Sequence, residues 1–196
     1  MAKRTTRQTA EPLQDFRLTA ASAREALGIV DLLKGGDLII PPYQRPSVWT
    51  EDQQVALIRS TIMGVPIPAI VWNDRATFWE GPKKDAYVYA LIDGRQRVEA
   101  AVAWYDSKLP VPASWFQPDV VQRTERTDDG PYVRFSGLTK PGQVFFKRSF
   151  HFPVCEGRLP DVETEAMVYR LLNMGGTPQT AADMARAARV ETGDAR

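Results

Sequence analysis

Apolar positions along the chain recur at two periods, and the switching between them sets the expected elements. Leu27, Val30 and Leu33 fall at helical spacing behind Ser22-Ala23-Arg24-Glu25, which reads as a capping box, with Gly35-Gly36 as the stop. Asp37-Leu38-Ile39-Ile40 reads as a short strand ended by Pro41-Pro42. A second capping box, Thr50-Glu51-Asp52-Gln53, opens a helix with Val55, Ile58 and Ile62 on one face and Gly64 at its close. Ala69-Ile70-Val71-Trp72 and Ala86 to Ile92 read as buried strands on either side of a polar loop, 73–85. Val98, Ala101, Val102 and Tyr105 then resume the helical period. Further along, a hairpin is expected around Asp128-Asp129-Gly130, joining 120–125 to 132–135. A strand over 151–155 and helices over about 161–173 and 180–190 complete the pattern. The pattern predicts an α+β fold, with a flexible lead-in over 1–18 and a single domain over 19–196.

Composition narrows what such a domain does. At 196 residues, 43% hydrophobic and 25% charged, the chain is long enough for one sizeable core. It has no apolar run long enough for a membrane span, and no apolar segment follows the basic Met1-Ala2-Lys3-Arg4 start, so no secretory leader is read. The lone Cys155 cannot form an internal disulfide, which fits a reducing cytoplasm. One histidine and one cysteine cannot assemble a Cys/His zinc site or a His-Asn-His nuclease centre within these residues. A Ser-His-Asp triad would need His151, which sits between Phe150 and Phe152 and reads as packing. With a net charge of +1, any DNA contact must come from a local patch, the first candidate being Lys3, Arg4 and Arg7.

The chemistry-bearing junction is a strand, then Asp93-Gly94-Arg95-Gln96-Arg97, then a helix. A glycine there lets backbone approach a ligand, and a helix's first turn offers free N–H groups and a positive dipole end, which suit a phosphate. Arg97, three residues past the glycine, can add a bidentate guanidinium contact. Asp93, at the strand's carboxyl end, stands where a magnesium ligand or general base belongs. Read alone, the same segment is equally an aspartate-capped helix with solvated arginines. Two further polar islands bear on the choice. Gln44-Arg45 lies between Tyr43 and Trp49 with no evident structural reason, and Leu172-Asn173-Met174-Gly175-Gly176 ends a helix, where Asn and Gly also make an ordinary C-cap.

Together and in this order, these segments resemble the DUF262 family, the N-terminal domain of GmrSD-type, modification-dependent restriction systems. The residues that carry the resemblance are Tyr43-Gln44-Arg45-Pro46-Ser47-Val48-Trp49, Gly64-Val65-Pro66-Ile67, Asp93 to Arg97, and Leu172 to Gly176. The resemblance implies a ParB/sulfiredoxin-like fold, a small mixed sheet with surrounding helices, in which a Gly-x-x-Arg turn holds nucleotide phosphates. Gly94 and Arg97 match that turn. Asp93 and Gln96 match a signature associated with nucleoside triphosphate hydrolysis that governs DNA cleavage. Gln44, Arg45 and Asn173 match the flanking polar motifs.

The implied site thus takes Asp93, Gln96 and Arg97 as catalytic and Gln44, Arg45, Gly94, Arg95, Arg97 and Asn173 as nucleotide-binding, with Asp93 also a ligand for Mg²⁺. GTP or ATP is the implied nucleotide, DNA the implied partner, and the nuclease function is expected in a separate subunit or domain. Arg95 departs from the family's usual glutamine and adds a cation beside the phosphate site. Two other roles fit the same fold: a non-enzymatic DNA-binding adaptor, and a kinase or phosphotransferase.

Overall fold

The computed structural model describes residues 13, 15, 16, 18–44 and 46–174. Arg45, the glycines at 175 and 176, the expected helix over 180–190 and the basic Lys3, Arg4 and Arg7 all lie outside the described residues.

The main sheet has five strands in the order β1-β8-β3-β4-β2. They are β1 (Ser22–Glu25), β2 (Leu38–Ile39), β3 (Ile70–Asp74), β4 (Tyr89–Asp93) and β8 (His151–Gly157). β4 runs parallel to β2 and antiparallel to β3, while β3 runs parallel to β8 and β8 antiparallel to β1. β5 (Val111–Pro112), β6 (Glu125–Thr127) and β7 (Gly130–Val133) form a separate small sheet. Among the described residues five α-helices accompany them: α1 (Ala26–Gly35), α2 (Glu51–Ile62), α3 (Arg95–Tyr105), α4 (Lys140–Ser149) and α5 (Val162–Met174). The architecture is mixed α+β, as the alternating periods predict.

Side-chain alternation explains why β3 and β4 read as unbroken apolar runs. Ile70, Trp72 and Leu91 face the larger core, with Ile29, Ile58, Val98 and Trp104 from the helices. Val71 and Ile92 point the other way, onto a smaller cluster with Leu159, Val168 and Tyr169. Successive strand residues face opposite sides, so a sheet covered on both must be apolar at every position. Phe16 and Leu18, at the end of the expected lead-in, pack on the smaller cluster.

The local expectations divide in an instructive way. Thr50 makes the capping box in full: Gln53 N–H donates to Thr50 Oγ1 at 3.4 Å, and Thr50 N–H donates to Gln53 Oε1 at 2.9 Å. Ser22-Ala23-Arg24-Glu25 makes no box. Those residues are β1, paired with 151–154, and α1 starts one residue later without a side-chain cap. Pairing with β8 satisfies their backbone groups, and this tertiary demand overrides the local signal. β4 begins at Tyr89 rather than Ala86, because the chain turns at Tyr87 with a φ of 65°. The hairpin forms closer to its turn than expected, with a shorter first strand at Glu125–Thr127 and a second of the expected length at Gly130–Val133, and β8 extends to Gly157. α4 was not expected at all: Pro141 and Gly142 mask its start, though Thr139 caps it and proline suits a first turn.

Candidate phosphate-binding cleft

Parallel pairing of β2 and β4 brings their carboxyl ends to one edge of the sheet. The chain leaving β2 passes Pro41 and Pro42 to reach Gln44, and β4 ends on Asp93 directly before α3. α5 packs beside β4 and carries Tyr169 and Asn173 to the same edge. A cleft of about 180 Å³ lies between them, lined by Gln44, Trp49, Asp93, Gly94, Arg95, Gln96, Arg97, Tyr169 and Asn173. Three segments that are far apart in sequence therefore converge on one space. Arg45, adjacent to Gln44, is outside the described residues.

The turn at Gly94 is fixed by the fold. Gly94 takes a φ of 100°, and a Cβ there would come within 2.4 Å of Ile70 Cγ2. Its requirement for glycine is thus steric contact with Ile70 and a left-handed backbone, a different reason from the close ligand approach expected from sequence. No side chain caps α3. The first-turn N–H groups of a helix have no partner within the helix, so those of Arg95, Gln96 and Arg97 form the cleft's positive floor.

The side chains around this floor are held by specific bonds. Arg97 donates through one terminal nitrogen to Asp93 Oδ2 at 2.6 Å and to the Ala69 carbonyl at 3.0 Å, locking strand end, helix start and β3 together. Its Nε is buried without a partner. Arg95 pairs with Glu99 one turn on, at 2.8 Å. Gln96 Oε1 accepts three bonds, from Ser47 Oγ at 3.0 Å, Val48 N–H at 3.0 Å and Trp49 N–H at 2.9 Å. Two backbone donors fix which end of the amide faces the 47–49 loop, so the group Gln96 can offer a ligand is its NH₂.

Gln44 has the structural reason that sequence reasoning did not supply. It is buried, and its amide donates to the Leu91 carbonyl of β4, tying the segment after β2 to the sheet. Asn173 is exposed within α5 and donates to the Tyr169 carbonyl at 2.8 Å.

Behind the cleft lies a polar network with no local signal. Glu165, fully buried on α5, accepts from Arg75 at 2.8 and 2.7 Å and from Asn73 at 2.8 Å. Tyr43 O–H donates to the same carboxylate at 3.3 Å, and the Tyr43 ring lies 5.7 Å from that of Tyr169. Burial, then the Glu165 charge, pushes the Tyr43 phenol well above its ordinary pKa. Asn73 also bridges the Leu159 backbone in both directions, at 3.0 and 2.7 Å. Asn73 and Arg75 read as the start of a polar loop because their partner is about 90 residues away.

The arrangement suits an anion: helix N–H groups, two guanidiniums and three side-chain amides line a small space. At about 180 Å³ the cleft is below the roughly 300–1,000 Å³ of most small-molecule pockets, which matches a phosphate group better than a whole nucleotide. Asp93 is the one carboxylate among the described lining residues. One carboxylate plus phosphate oxygens is an ordinary set for Mg²⁺, so the donor set fits a metal that arrives with a nucleotide. Among the described residues, no group of three or more His, Cys, Asp or Glu gathers to hold a metal by itself. No helix among them is long and apolar enough to cross a membrane.

Searches of curated proteins and of solved structures returned no match to this chain. The family model for the GmrSD restriction endonuclease N-terminal domain matches residues 29–189, a span that includes every described residue lining the cleft. The chain therefore belongs to the family of GmrSD restriction endonuclease N-terminal domains.

Proposed function

We propose that this domain binds a nucleoside triphosphate, GTP or ATP, with its phosphates on the Gly94 turn, and that it hydrolyses it in the service of DNA restriction. The observation that carries the reading is the uncapped start of α3 opening into a cleft that gathers Gln44, Asp93, Arg95, Arg97 and Asn173. Family membership supports the DNA-restriction setting. In this reading the α3 N–H groups and the guanidiniums of Arg95 and Arg97 neutralise phosphate charge, and the Gln96 NH₂ reaches a phosphate oxygen. Asp93 would hold Mg²⁺, which would supply further neutralisation of phosphate charge. Asp93 is also placed to take the proton of a water that attacks the terminal phosphorus, as the bond to the leaving diphosphate oxygen breaks.

Turnover is tested by incubating the protein with each nucleotide and Mg²⁺, with and without modified duplex DNA, and following released phosphate. The reading expects release that disappears in Asp93→Asn, a change that keeps an acceptor for Arg97. Label transferred to DNA or to a small molecule instead of water would favour a phosphotransferase. DNA binding that ignores nucleotide, without phosphate release, would favour an adaptor.

A further inference from the structure

Helix α4 belongs to no part of the cleft and carries the most one-sided charge of the described helices, three cations and no carboxylate. Between residues 130 and 155 the sequence has four cations, Arg134, Lys140, Lys147 and Arg148, and no carboxylate. Against a net charge of +1 this is a local concentration. Arg134 is paired with Glu125, but Lys140, Lys147 and Arg148 have no ion pair among the described residues.

Helical geometry places these residues together. At 100° per residue, Lys140, Val144, Lys147 and Arg148 share the side of α4 opposite its buried Gly142 and Phe146, with Phe145 at the margin beside Arg148. Exposure agrees: Lys140 and Arg148 are exposed, Lys147 is half-buried with its ammonium 5.9 Å from the Phe135 ring, and Phe145 is 67% exposed. An aromatic ring this open, at the edge of a face of unpaired cations, is not part of the core. The elements packed beside α4, β1 and the turn at 118–120, bring two carboxylates nearby, Glu25 and Asp119, too few to balance the face.

We propose that this face of α4 is a docking surface for duplex DNA, with Lys140, Lys147 and Arg148 on backbone phosphates and Phe145 against a sugar or base edge. The cations complement a polyanion, and a ten-residue helix is compatible with a major groove about 12 Å wide. Proteins that hold single strands use a channel lined with successive aromatics, whereas α4 offers one aromatic on a convex face. The face also has a physical link to the cleft. Phe146 of α4 packs 5.0 Å from Trp104, near the end of α3, while the start of α3 is the cleft floor. α3 thus joins the two surfaces as a single rod. The proposal rests on the DNA-restriction part of the functional reading and not on its nucleotide part.

The test is fluorescence anisotropy of the protein with a labelled 30-base-pair duplex and with one of its strands, at 50 and 200 mM salt. Wild type should prefer the duplex and lose about 40-fold in affinity over that salt range, the value for three phosphate contacts. Lys140→Ala/Lys147→Ala/Arg148→Ala should bind at least tenfold more weakly at 50 mM salt, with a much flatter salt dependence. Phe145→Ala should weaken binding without changing that dependence, and Lys83→Ala/Lys84→Ala, far along the chain on another exposed turn, should bind as wild type. A triple variant that binds like wild type, a preference for the single strand, or no duplex binding at 50 mM salt would each overturn the proposal. Nucleotide affinity, measured separately, should be unchanged in the triple variant. A failure of the nucleotide reading leaves the anisotropy results untouched, so the two claims fall independently.

Discussion

Gly94 shows how tightly the cleft is built into single residues. With a φ of 100° and Ile70 Cγ2 in the way of any Cβ, Gly94→Ala must shift both turn and strand. The left-handed backbone and the overpacking together cost about 2–4 kcal/mol. Urea denaturation should read a loss in that range, and the double variant Gly94→Ala/Ile70→Ala should show less than additive loss; full additivity would refute the steric account. Glu165 is the second such residue. Glu165→Ala strands the Arg75 guanidinium, 3% exposed, without its partner, a change that costs about 3–5 kcal/mol. A denaturation midpoint near wild type would contradict the assignment of this pair as the anchor of α5.

Tyr43 adds a pH dependence with a definite sign. Its folded pKa is raised, mainly by burial and then by Glu165, so the native state holds the proton more tightly than the unfolded chain does. That stability is full below about pH 10, the ordinary phenol value, and is lost as pH rises above it. Thermal melts from pH 8 to 11.5 should show alkaline destabilisation that is shallower in Tyr43→Phe. Equal slopes would mean that Tyr43 is not the group responsible. Tyr105, similarly raised by burial, contributes a residual slope in both proteins.

At the scale of elements, the cleft wall depends on Gln96 as a bracket. One side-chain oxygen collects the backbone of Val48 and Trp49 and the hydroxyl of Ser47, fixing the segment between β2 and α2 against α3. Gln96→Ala leaves two backbone N–H groups without that acceptor, and since water can reach this loop the loss is about 0.5–1.5 kcal/mol. Hydrogen exchange at Val48 and Trp49 should quicken while exchange within the main sheet stays slow. Unchanged protection there would show that the loop holds itself.

The same scale explains what was readable in the sequence. Elements whose signals are local came through: the Thr50 capping box, the apolar runs of β3 and β4, and the Gly94 junction. β1 was mistaken for a helix start because its partner, β8, lies more than 120 residues away. α4 was missed because Pro141 and Gly142 lower helical propensity where a first turn tolerates them. The cleft residues were legible as polar side chains at a strand–helix junction and in two islands. The reason Gln44 is buried, and the Glu165 network behind it, were not, since both depend on contacts between distant segments.

For the whole molecule, two surfaces emerge at opposite ends of α3: a phosphate-sized cleft and a cationic helix. The net charge of +1 conceals both, because the cations of one face are offset by carboxylates elsewhere. The small volume of the cleft is consistent with phosphate recognition at the Gly94 turn. The central claim is that the α3 start with Arg97 binds nucleotide phosphate. Isothermal titration of wild type, Arg95→Ala and Arg97→Ala with Mg-ATP and Mg-GTP, alongside melts to confirm folding, tests it most directly. The account predicts that wild type binds at least one of them, that Arg95→Ala weakens binding severalfold, and that a folded Arg97→Ala loses at least tenfold. Equal affinity in folded Arg97→Ala, or no binding of either nucleotide by wild type, would contradict it.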